Sequence, residues 1–434
     1  MQETSIQQLH QCFLLSSGIC TDTRNIKENS FFVALKGDNF DGNTFVQQAI
    51  TSGAAYAITS NAEKANNKQI FYVNDTLKTL QNLANYHRKQ FNIPIIAITG
   101  SNGKTTTKEL FNAVLSKKYN TLATKGNLNN HIGVPLTLLQ LTKQHELAII
   151  EMGANHQGEI ELLSKIAEPS IGIITNIGKA HLEGFGGIQG VIKGKTELYQ
   201  FLQKHDGLIV YNADNPILKE MAIHHHTLTY AFQTQANCNG KISNEIPFIS
   251  IDYSYQAEAT KTVNSNLIGV YNAENILSAI CVAKYLGVSN EHIADAIAGY
   301  APDNSRSQII KKNNTTIILD AYNANPSSMK AALDNFAKME AHHKITILGD
   351  MFELGETSPQ EHLQIINETL KGNFEQCIFI GPRFGEHQQH AKATFFENTQ
   401  QCANYLNTIS NKNNTFLIKG SRGMKLEQLL EHIA

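Results

Sequence analysis

The residues of this chain that are best suited to chemistry lie in a short glycine loop after an apolar run. Residues 95–98 are apolar and lead into TGSNGKTT at 99–106. Two glycines let backbone amides turn toward an anion, the predicted helix at 104–118 adds its positive N-terminal end, and Lys104 adds a point charge. The hydroxyl of Thr105 is placed to reach a phosphate-bound magnesium ion. The pattern predicts a phosphate-binding loop, and the other interpretation is a strand-turn-helix corner with an incidental lysine.

Two further reactive side chains follow predicted strands. Glu151 ends the apolar run at 147–150, and His181 follows the run at 171–175. Ligands bind at the carboxyl ends of strands in doubly wound sheets, so both side chains are expected at the same rim as the glycine loop. With Thr105 they form a candidate magnesium site of hard oxygen ligands plus one nitrogen. Each residue alone is typical of a surface group, and only the set predicts a site.

The segment 126–135 is rich in asparagine and too irregular for the interior of a helix or strand. Asn127, Asn129 and Asn130 bring three amides between two glycines. Amide side chains both donate and accept hydrogen bonds, which suits a ligand with carbonyl and hydroxyl groups. Asparagine-rich turns without a ligand are also common, so this segment alone leaves both interpretations open.

The elements that must position these groups alternate between strand and helix. Short strand patterns at 30–35 and 54–58 come first, a helical pattern at 77–91 follows, and apolar strands recur at 95–99, 147–150, 171–175 and 207–211. After a linker at 302–305, a second series has strands at 316–319, 345–348, 377–380 and 415–418. This order predicts an α/β protein of three domains: a small N-terminal α/β module at 1–76, a central, mostly parallel sheet at 77–302, and a Rossmann-like α/β domain at 303–434.

Composition excludes several classes of partner. The 36 basic and 38 acidic residues are nearly balanced and scattered, so no nucleic-acid surface is expected. The six cysteines stand singly without metal-ligand spacing, which is typical of reduced thiols in a cytoplasmic protein. No apolar run approaches the ~20 residues that a membrane span requires, and the first residues lack the pattern of a signal peptide. A cytoplasmic protein that binds neither nucleic acid nor membrane is expected.

Several longer motifs together resemble the Mur ligase family through all three predicted domains. Besides the glycine loop, whose shortened G-x-x-G-K-T form this family uses, they are GNLNN at 126–130, EMGANHQGEI at 151–160, AHLEGFG at 180–186, DAYNANPSSM at 320–329, GDMFELG at 349–355 and KGSR at 419–422. The resemblance implies a ligase that uses ATP and magnesium. A substrate carboxylate would attack the γ-phosphate to give an acyl phosphate, and an amine would then displace phosphate.

The motifs at 320–325 and 349–355 resemble the family members that add a dipeptide. The implied small-molecule substrates are UDP-N-acetylmuramoyl-tripeptide and D-alanyl-D-alanine, in the cytoplasmic synthesis of peptidoglycan precursors by a monomer. The N-terminal module would bind the uridine diphosphate and the central domain ATP. Whether the third residue of the tripeptide is meso-diaminopimelate or lysine stays open.

The resemblance also assigns roles to individual residues. It implies ATP contacts at Gly100, Ser101, Asn102, Gly103, Lys104, Thr105, Thr106, Asn272, Asn275, Arg306 and Asp320. It implies metal ligands at Thr105, Glu151, His181 and Lys195, and catalytic roles for Lys104, His181, Lys195 and Arg306. It implies substrate contacts at Thr23, Arg24, Asn127, Asn129, Asn130, Asn323, Asn325, Lys419 and Arg422.

Some of these roles have a stated alternative. Lys195 matches the family's carbamylated lysine by its register against Leu198 and Tyr199, whereas Lys193 would be an ordinary solvated lysine. Asp320 is expected on the ribose of ATP, although a strand-end aspartate is also a common helix cap. Lys419 or Arg422 is expected to hold the dipeptide carboxylate, or both belong to a solvated basic turn. The sequence departs from the family pattern at Tyr271, where histidine is usual, and at Asn43, where many members have a basic residue or histidine.

Three other functions are alternatives to a dipeptide-adding ligase. The family member that adds the third amino acid typically carries Asp-Asn-Pro-Arg, which does not occur here. Folylpolyglutamate synthetase typically continues its glycine loop with Lys-Gly-Ser, whereas this chain has Lys104-Thr105-Thr106. A nucleotide-dependent regulatory or binding protein without ligase activity would be favoured by a degenerate metal site. All four candidate metal ligands are present, which favours the enzyme.

Overall fold

The computed structural model describes residues 2–66, 68–223, 225–389, 392–409 and 413–433. The N-terminal domain is built on a parallel sheet in the order β1-β2-β5-β6, with a separate two-stranded hairpin, β3-β4. Its helices are α1 (Ile6–Leu15) and α2 (Val46–Thr51). Its strands are β1 (Ile19–Cys20), β2 (Phe31–Val33), β3 (Lys36–Gly37), β4 (Phe40–Asp41), β5 (Tyr56–Thr59) and β6 (Ile70–Tyr72).

Helix α3 (Thr76–Arg88) joins the first two domains through a shared core. Asp75 caps its N-terminus, and one apolar cluster runs from Leu9 and Phe13 of α1 through Leu80 and Leu83 of α3 into the central domain. A pair of buried histidines lies in the same contact, with His10 Nε2 3.0 Å from His87 Nδ1. The N-terminal module is therefore packed directly onto the central domain.

The central domain is a nine-stranded sheet in the order β15-β14-β13-β12-β11-β10-β7-β9-β8. Its strands are β7 (Ile95–Thr99), β8 (Thr121–Ala123), β9 (Leu147–Glu151), β10 (Ile171–Ile174), β11 (Leu208–Asn212), β12 (Thr227–Ala231), β13 (Cys238–Asn244), β14 (Ser250–Tyr255) and β15 (Lys261–Asn264). Its helices are α4 (Lys104–Leu115), α5 (Gly133–Leu138), α6 (Glu159–Ala167), α7 (Leu182–Phe185), α8 (Ile188–Lys204), α9 (Pro216–Ala222), α10 (Tyr271–Tyr285) and α11 (Asn290–Gly299).

The sheet is parallel from β8 to β13, as expected, and continues into an antiparallel extension, β13-β14-β15, that the sequence reasoning did not include. Along β14, buried and half-buried residues alternate, which is typical of a strand with one covered face. Among the described residues, no helix has both the length and the apolar character needed to cross a membrane.

The C-terminal domain is a six-stranded sheet in the order β16-β17-β21-β18-β19-β20, in which only β16 is antiparallel to its neighbour. Its strands are β16 (Gln308–Lys312), β17 (Thr315–Asp320), β18 (Lys344–Gly349), β19 (Gln376–Ile380), β20 (Thr394–Phe396) and β21 (Thr415–Lys419). Its helices are α12 (Pro326–Lys338), α13 (Ser358–Lys371), α14 (Pro382–Gly385) and α15 (Thr399–Leu406). Three sheets follow one another along the chain, while the predicted boundaries at 76 and 302 stay predictions.

Candidate active site

A cavity of about 630 Å³ lies between the central and C-terminal domains. The carboxyl ends of β7 and β9 open into it from the central sheet, and the ends of β17 and β21 open into it from the C-terminal sheet. The predicted site residues that line it are Ser101, Asn102, Gly103, Lys104, Thr105, Thr106, Asn127, Asn129, Asn130, Glu151, His181, Asn272, Asn275, Arg306, Asp320, Asn323, Asn325 and Lys419. The cavity therefore joins groups that lie more than three hundred positions apart in the sequence.

The two glycines of the loop occupy positions where a side chain does not fit. Gly100 and Gly103 have φ values of 145° and 78°. A Cβ on Gly100 would lie 2.0 Å from Thr175 Oγ1, and one on Gly103 would lie 2.7 Å from Asn275 Oδ1. Helix α4 begins directly after Gly103, so the unpaired amides of its first turn are at the cavity wall. Gly100 itself shapes the loop and does not line the cavity.

The residues after β10 hold the loop in this conformation. Asn176 accepts two hydrogen bonds from the loop, from the Ser101 amide to its carbonyl at 3.0 Å and from the Asn102 amide to its Oδ1 at 2.9 Å. Thr175 Oγ1 donates to the Asn102 carbonyl at 2.6 Å. The geometry of the phosphate-binding loop thus depends on the neighbouring strand as well as on its own glycines.

Lys104 lies in the cavity with its ammonium folded back on the loop. Its Nζ donates to the Gly100 carbonyl at 2.8 Å. Burial lowers the pKa of Lys104 to about 8, while nearby Glu151 raises that pKa and Arg306 lowers it further. A weakly solvated cation of this kind gains more from an approaching anion than a cation in water does.

Glu151 is the acidic group nearest to the loop and has one unused oxygen. Its side chain is 1% exposed, and its Oε1 accepts a hydrogen bond from Asn129 Nδ2 at 2.7 Å. Its Oε2 is buried without a hydrogen-bond partner. Since an unsatisfied buried carboxylate oxygen is costly, this atom is suited to a cation. Thr105, which is 5% exposed, lines the same wall.

His181 and Lys195 occupy different surroundings. The Nδ1 of His181 contacts the Glu353 carboxylate of the C-terminal domain, and this contact lowers the pKa of Glu353. Among the described residues, no group of three or more His, Cys, Asp or Glu side chains could hold a metal ion. A divalent ion beside Glu151 would therefore need the Thr105 hydroxyl, a modified lysine or oxygens of a bound ligand.

Lys195 is buried inside α8, whereas Lys193 is exposed. Its Nζ donates to the Ala154 carbonyl at 3.1 Å and lies 4.9 Å from the centre of the Phe185 ring. Burial holds its pKa well below the usual value, and the charge on Lys104 adds to this effect. Lys195 does not line the cavity itself, but Ala154, which it contacts, does. Burial thus favours Lys195 over Lys193 as a functional group.

Asp320 and Lys419 form an ion pair at the ends of two adjacent parallel strands. They are register partners of β17 and β21, and Lys419 Nζ lies 2.6 Å from Asp320 Oδ2. The other oxygen of Asp320 accepts the Ser307 amide at 3.2 Å, and Asn325, not Asp320, caps α12. The charge of Lys419 is already neutralised inside the protein, which makes it the weaker candidate for binding a substrate carboxylate.

Arg306 and Arg422 contact the same aromatic ring. Their guanidinium carbons lie 3.7 and 4.8 Å from the centre of the Tyr322 ring. The Nε of Arg306 is buried without a hydrogen-bond partner, whereas Arg422 is exposed and reaches the cavity only through Tyr322. Tyr322 lies inside the motif at 320–329, but no role was assigned to it from the sequence. The only feature that could have drawn attention to Tyr322 was its position between the polar residues Asp320 and Asn323, directly after a strand.

The asparagines expected on adenine are engaged with protein groups. Asn275 Nδ2 donates to Asn272 Oδ1 at 2.9 Å, and Thr107 Oγ1 donates to Asn275 Oδ1 at 3.1 Å. The bond from Thr107 joins α4 to α10. Tyr271, at the position where the family usually has histidine, bonds Ser307 at 2.8 Å. The adenine contacts stay predictions.

The asparagine-rich segment has structural as well as exposed members. Asn129 holds Glu151, and Asn130 Oδ1 accepts the Gly133 amide at 2.8 Å at the start of α5. Asn127 is exposed at the cavity wall.

Asn325 Nδ2 donates to Asn102 Oδ1 at 2.7 Å, so one predicted substrate residue binds the phosphate loop directly.

Thr23 and Arg24 lie on the N-terminal domain, outside the cavity. Both belong to a 3₁₀ helix at Thr23–Asn25, and Arg24 is exposed and paired with Asp22 at 2.7 Å. Asn43 is buried and accepts a hydrogen bond from Thr59 Oγ1 at 2.7 Å, which is a structural contact. The uridine-binding role of Thr23 and Arg24 stays a prediction.

The glycine loop, the buried carboxylate beside it and the cavity shared with a third domain define a multidomain phosphate-loop enzyme. The chain belongs to the Mur ligase family. The family's catalytic domain matches residues 16–96, its middle domain residues 98–283, and its glutamate ligase domain residues 305–422. The predicted family and the three-domain α/β fold are confirmed.

Curated relatives and solved structures agree with this assignment. UDP-N-acetylmuramoyl-tripeptide--D-alanyl-D-alanine ligase of Bacillus subtilis is 33% identical, covering 96% of this chain and 93% of its own. MurF from Acinetobacter baumannii superposes with a TM-score of 0.89 at 31% identity, covering 100% and 99% of the two chains. MurF from Thermotoga maritima in complex with ADP gives 0.86 at 28% identity, with 97% of each chain covered.

Proposed function

We propose that the protein is an ATP-dependent ligase that joins D-alanyl-D-alanine to the terminal carboxylate of UDP-N-acetylmuramoyl-tripeptide, giving ADP and phosphate. The observation that carries this proposal is the single cavity in which the phosphate loop of one domain faces Arg306 and Asp320 of another. The name of the Bacillus subtilis relative, which is similar over 96% of this chain, supplies the two substrates. The ADP complex of the Thermotoga maritima relative supports the nucleotide.

The first chemical step in this proposal is attack of the tripeptide carboxylate on the γ-phosphorus of ATP. The bond to the bridging oxygen breaks, ADP leaves, and an acyl phosphate forms. Such transfers depend on positioning and charge neutralisation. Lys104 and the first-turn amides of α4 face the phosphates from one side, and Arg306, with its unpartnered Nε, faces them from the other. These fixed donors would stabilise the charge that develops on the transferred phosphoryl group.

The second step is attack of the dipeptide amine on the acyl carbon. The C–N bond forms, phosphate leaves with the C–O bonding electrons, and the amine loses its proton. Arg422 is the proposed partner of the dipeptide carboxylate because its guanidinium is exposed beside Tyr322 at the cavity edge. Asn323 and Asn325 are proposed to bind the same substrate, and Asn127, Asn129 and Asn130 the tripeptide. Thr23 and Arg24 are proposed to bind the uridine diphosphate.

Magnesium fits the residues beside the phosphate loop. The free Oε2 of Glu151 and the hydroxyl of Thr105 are hard oxygen donors, and His181 lies at the same cavity wall. The ion, when bound, would neutralise phosphate charge. Lys195 is proposed to be carbamylated, because its lowered pKa favours the neutral amine that reacts with carbon dioxide. The carbamate would then be an anionic oxygen donor in place of a buried neutral amine.

The remaining parts of the proposal concern organisation. We place the functional boundaries at 76 and 302, with the UDP-binding module before the first and the ligase domain after the second. We also propose that the protein acts as a monomer. Because both ATP and UDP-linked precursors are cytoplasmic metabolites, we place the reaction in the cytoplasm.

Phosphate release by the purified protein tests the reaction directly. We expect release from ATP and magnesium to require UDP-N-acetylmuramoyl-tripeptide and D-alanyl-D-alanine together, with one pentapeptide product formed per phosphate. Mass spectrometry identifies the product. The matched control is the tripeptide substrate with glycyl-glycine in place of D-alanyl-D-alanine. Tight nucleotide binding without any product from either dipeptide would support the regulatory-protein alternative and refute ligase activity.

A further inference from the structure

The short segment between β10 and α7 contacts the phosphate loop on one side. Ser101 Oγ accepts the Gly178 amide at 2.9 Å and donates to the Gly178 carbonyl at 3.0 Å. One hydroxyl therefore binds both backbone groups of Gly178. Because Ser101 lies inside the loop, a shift of Gly178 must move the loop or break both bonds.

The next residue, Lys179, contacts the C-terminal domain. Its Nζ lies 2.6 Å from Glu361 Oε1, in the first turn of α13, and its amide donates to Ser327 Oγ at 3.3 Å. The side chain of Glu361 is 9% exposed and that of Lys179 is 49% exposed. A buried acid that receives a cation from another domain is a specific contact, unlike a pair in which both partners are solvated.

We propose that Lys179 and Glu361 are a positioning pair that couples docking of the C-terminal domain to the conformation of the phosphate loop. The path runs from Glu361 through Lys179 and Gly178 to Ser101. This inference rests on the proposed function, since it assumes that the loop binds the transferred phosphate. Its consequence is that a closed C-terminal domain holds the loop in its active form, and that the ion pair favours the closed arrangement.

Loss of the pair should reduce turnover more than nucleotide binding. The phosphate loop and α4 belong to the central domain and stay folded, so ADP still binds, whereas Arg306 arrives with the C-terminal domain. Other contacts cross the same interface, including Asn325 with Asn102 at 2.7 Å, so docking is weakened and not abolished. Couplings between sites typically change an equilibrium about 5-fold to 150-fold, and we expect the low end, roughly 5-fold to 10-fold in kcat.

Charge exchange is the decisive experiment. The variants are Lys179→Glu, Glu361→Lys and the double exchange, with Lys330→Glu as matched control. Lys330 is 50% exposed and pairs with Asp334 of α12 and Glu368 of α13, so its exchange removes ion pairs inside the C-terminal domain and none across the interface. We expect each single exchange to lower kcat about 5-fold to 10-fold with ADP affinity within about 2-fold of wild type, and the double exchange to restore kcat to within about 2-fold.

Two results would overturn the proposal. One is single variants that behave like Lys330→Glu, and the other is a double exchange no more active than either single variant. If Glu361→Lys fails to fold, Glu361→Gln and Lys179→Gln replace the exchange, and they must lower kcat equally and without further loss when combined.

Solution X-ray scattering separates this proposal from the proposed function. With ADP and magnesium bound, wild type and the double exchange should be more compact than either single variant, whether or not ligation is detected. A wild-type protein without ligase activity that still shows this order would refute the function and keep the pair. Equal compactness in all variants of an active enzyme would refute the pair alone.

Discussion

Replacing Lys419 with methionine should destabilise the C-terminal domain before it affects any substrate. Lys419 is 2% exposed and Asp320 is 16% exposed, and each is the other's ion-pair partner at 2.6 Å. Methionine keeps the length of the side chain and removes the charge. Asp320 would then remain as a carboxylate with one hydrogen bond, from the Ser307 amide, at the ends of the two strands.

The magnitude follows from the burial of the pair. Removing one partner of a buried pair costs about 3–5 kcal/mol, because the other charge is left uncompensated. Asp320 keeps some contact with solvent, so the low end, about 3 kcal/mol, applies. For a domain of this size, such a loss corresponds to a fall in Tm of roughly 10 °C.

Calorimetry and urea unfolding measure this change, with Lys311→Met as matched control. Lys311 is an exposed lysine on β16, in the same sheet. Adding Asp320→Asn to Lys419→Met should recover part of the lost stability, because no buried charge then remains unpaired. A Lys419→Met protein as stable as Lys311→Met would refute the structural role and return Lys419 to the candidates for substrate binding.

The remaining predictions concern the site itself. Lys104→Ala should lower kcat by about 10²-fold to 10³-fold without a fall in Tm, and near wild-type turnover would contradict the phosphate-loop assignment. Because burial lowers the pKa of Lys104 to about 8, its ammonium is lost as pH rises through that value, so nucleotide affinity without magnesium should fall above about pH 8 in wild type and stay flat in Lys104→Met. The pKa of Lys104 is lowered from an ordinary 10.5 to about 8, so carrying its charge destabilises the folded state below pH 8. The free energy of unfolding should therefore rise as the pH increases from about 8 to 10.5. Lys195→Ala should lose most activity and be partly rescued by a small carboxylic acid, whereas Lys193→Ala should be mild, and equal effects in both variants would contradict the assignment. Arg422→Ala should raise the KM for D-alanyl-D-alanine more than that for ATP, and Arg306→Ala should chiefly lower kcat, so an unchanged dipeptide KM rules out Arg422.

The sequence predicted the elements whose signals are local. Apolar β-branched runs bounded by turns located β7, β9, β10 and β11 of the central sheet and β17, β18, β19 and β21 of the C-terminal sheet to within one or two residues, and the helix after Gly103 began where expected. The parallel strands β8, β12 and β20 were not predicted. The antiparallel extension β13-β14-β15 was not predicted because its strands carry many polar residues, and only the alternation of polar and apolar residues in β14 marks it.

The sequence could not predict the contacts at the site between segments that are distant along the chain. Strand topology predicted that Glu151 and His181 lie at the rim of the glycine loop, and the family resemblance added Arg306; all three line one cavity. The pairing of Lys419 with Asp320 joins residues that are 99 positions apart, and Lys179 reaches Glu361 across 182 positions. Such pairs leave no periodic pattern along the chain. The sequence therefore cannot distinguish a basic residue that pairs with an acid of the protein from one that binds a substrate.

The apolar cluster that runs unbroken from α1 through α3 into the central sheet has a mechanical consequence. A domain that shares its core with a neighbour cannot rotate as a separate rigid body without exposing that core. The buried contact between His10 and His87 adds a polar interaction at the same interface. The first two sheets should therefore melt as one cooperative unit, while the C-terminal sheet, with cores largely its own, melts separately. If the N-terminal domain binds the uridine diphosphate as proposed, the precursor's nucleotide and the triphosphate of ATP would lie on one rigid unit, and the C-terminal domain would be the part that moves.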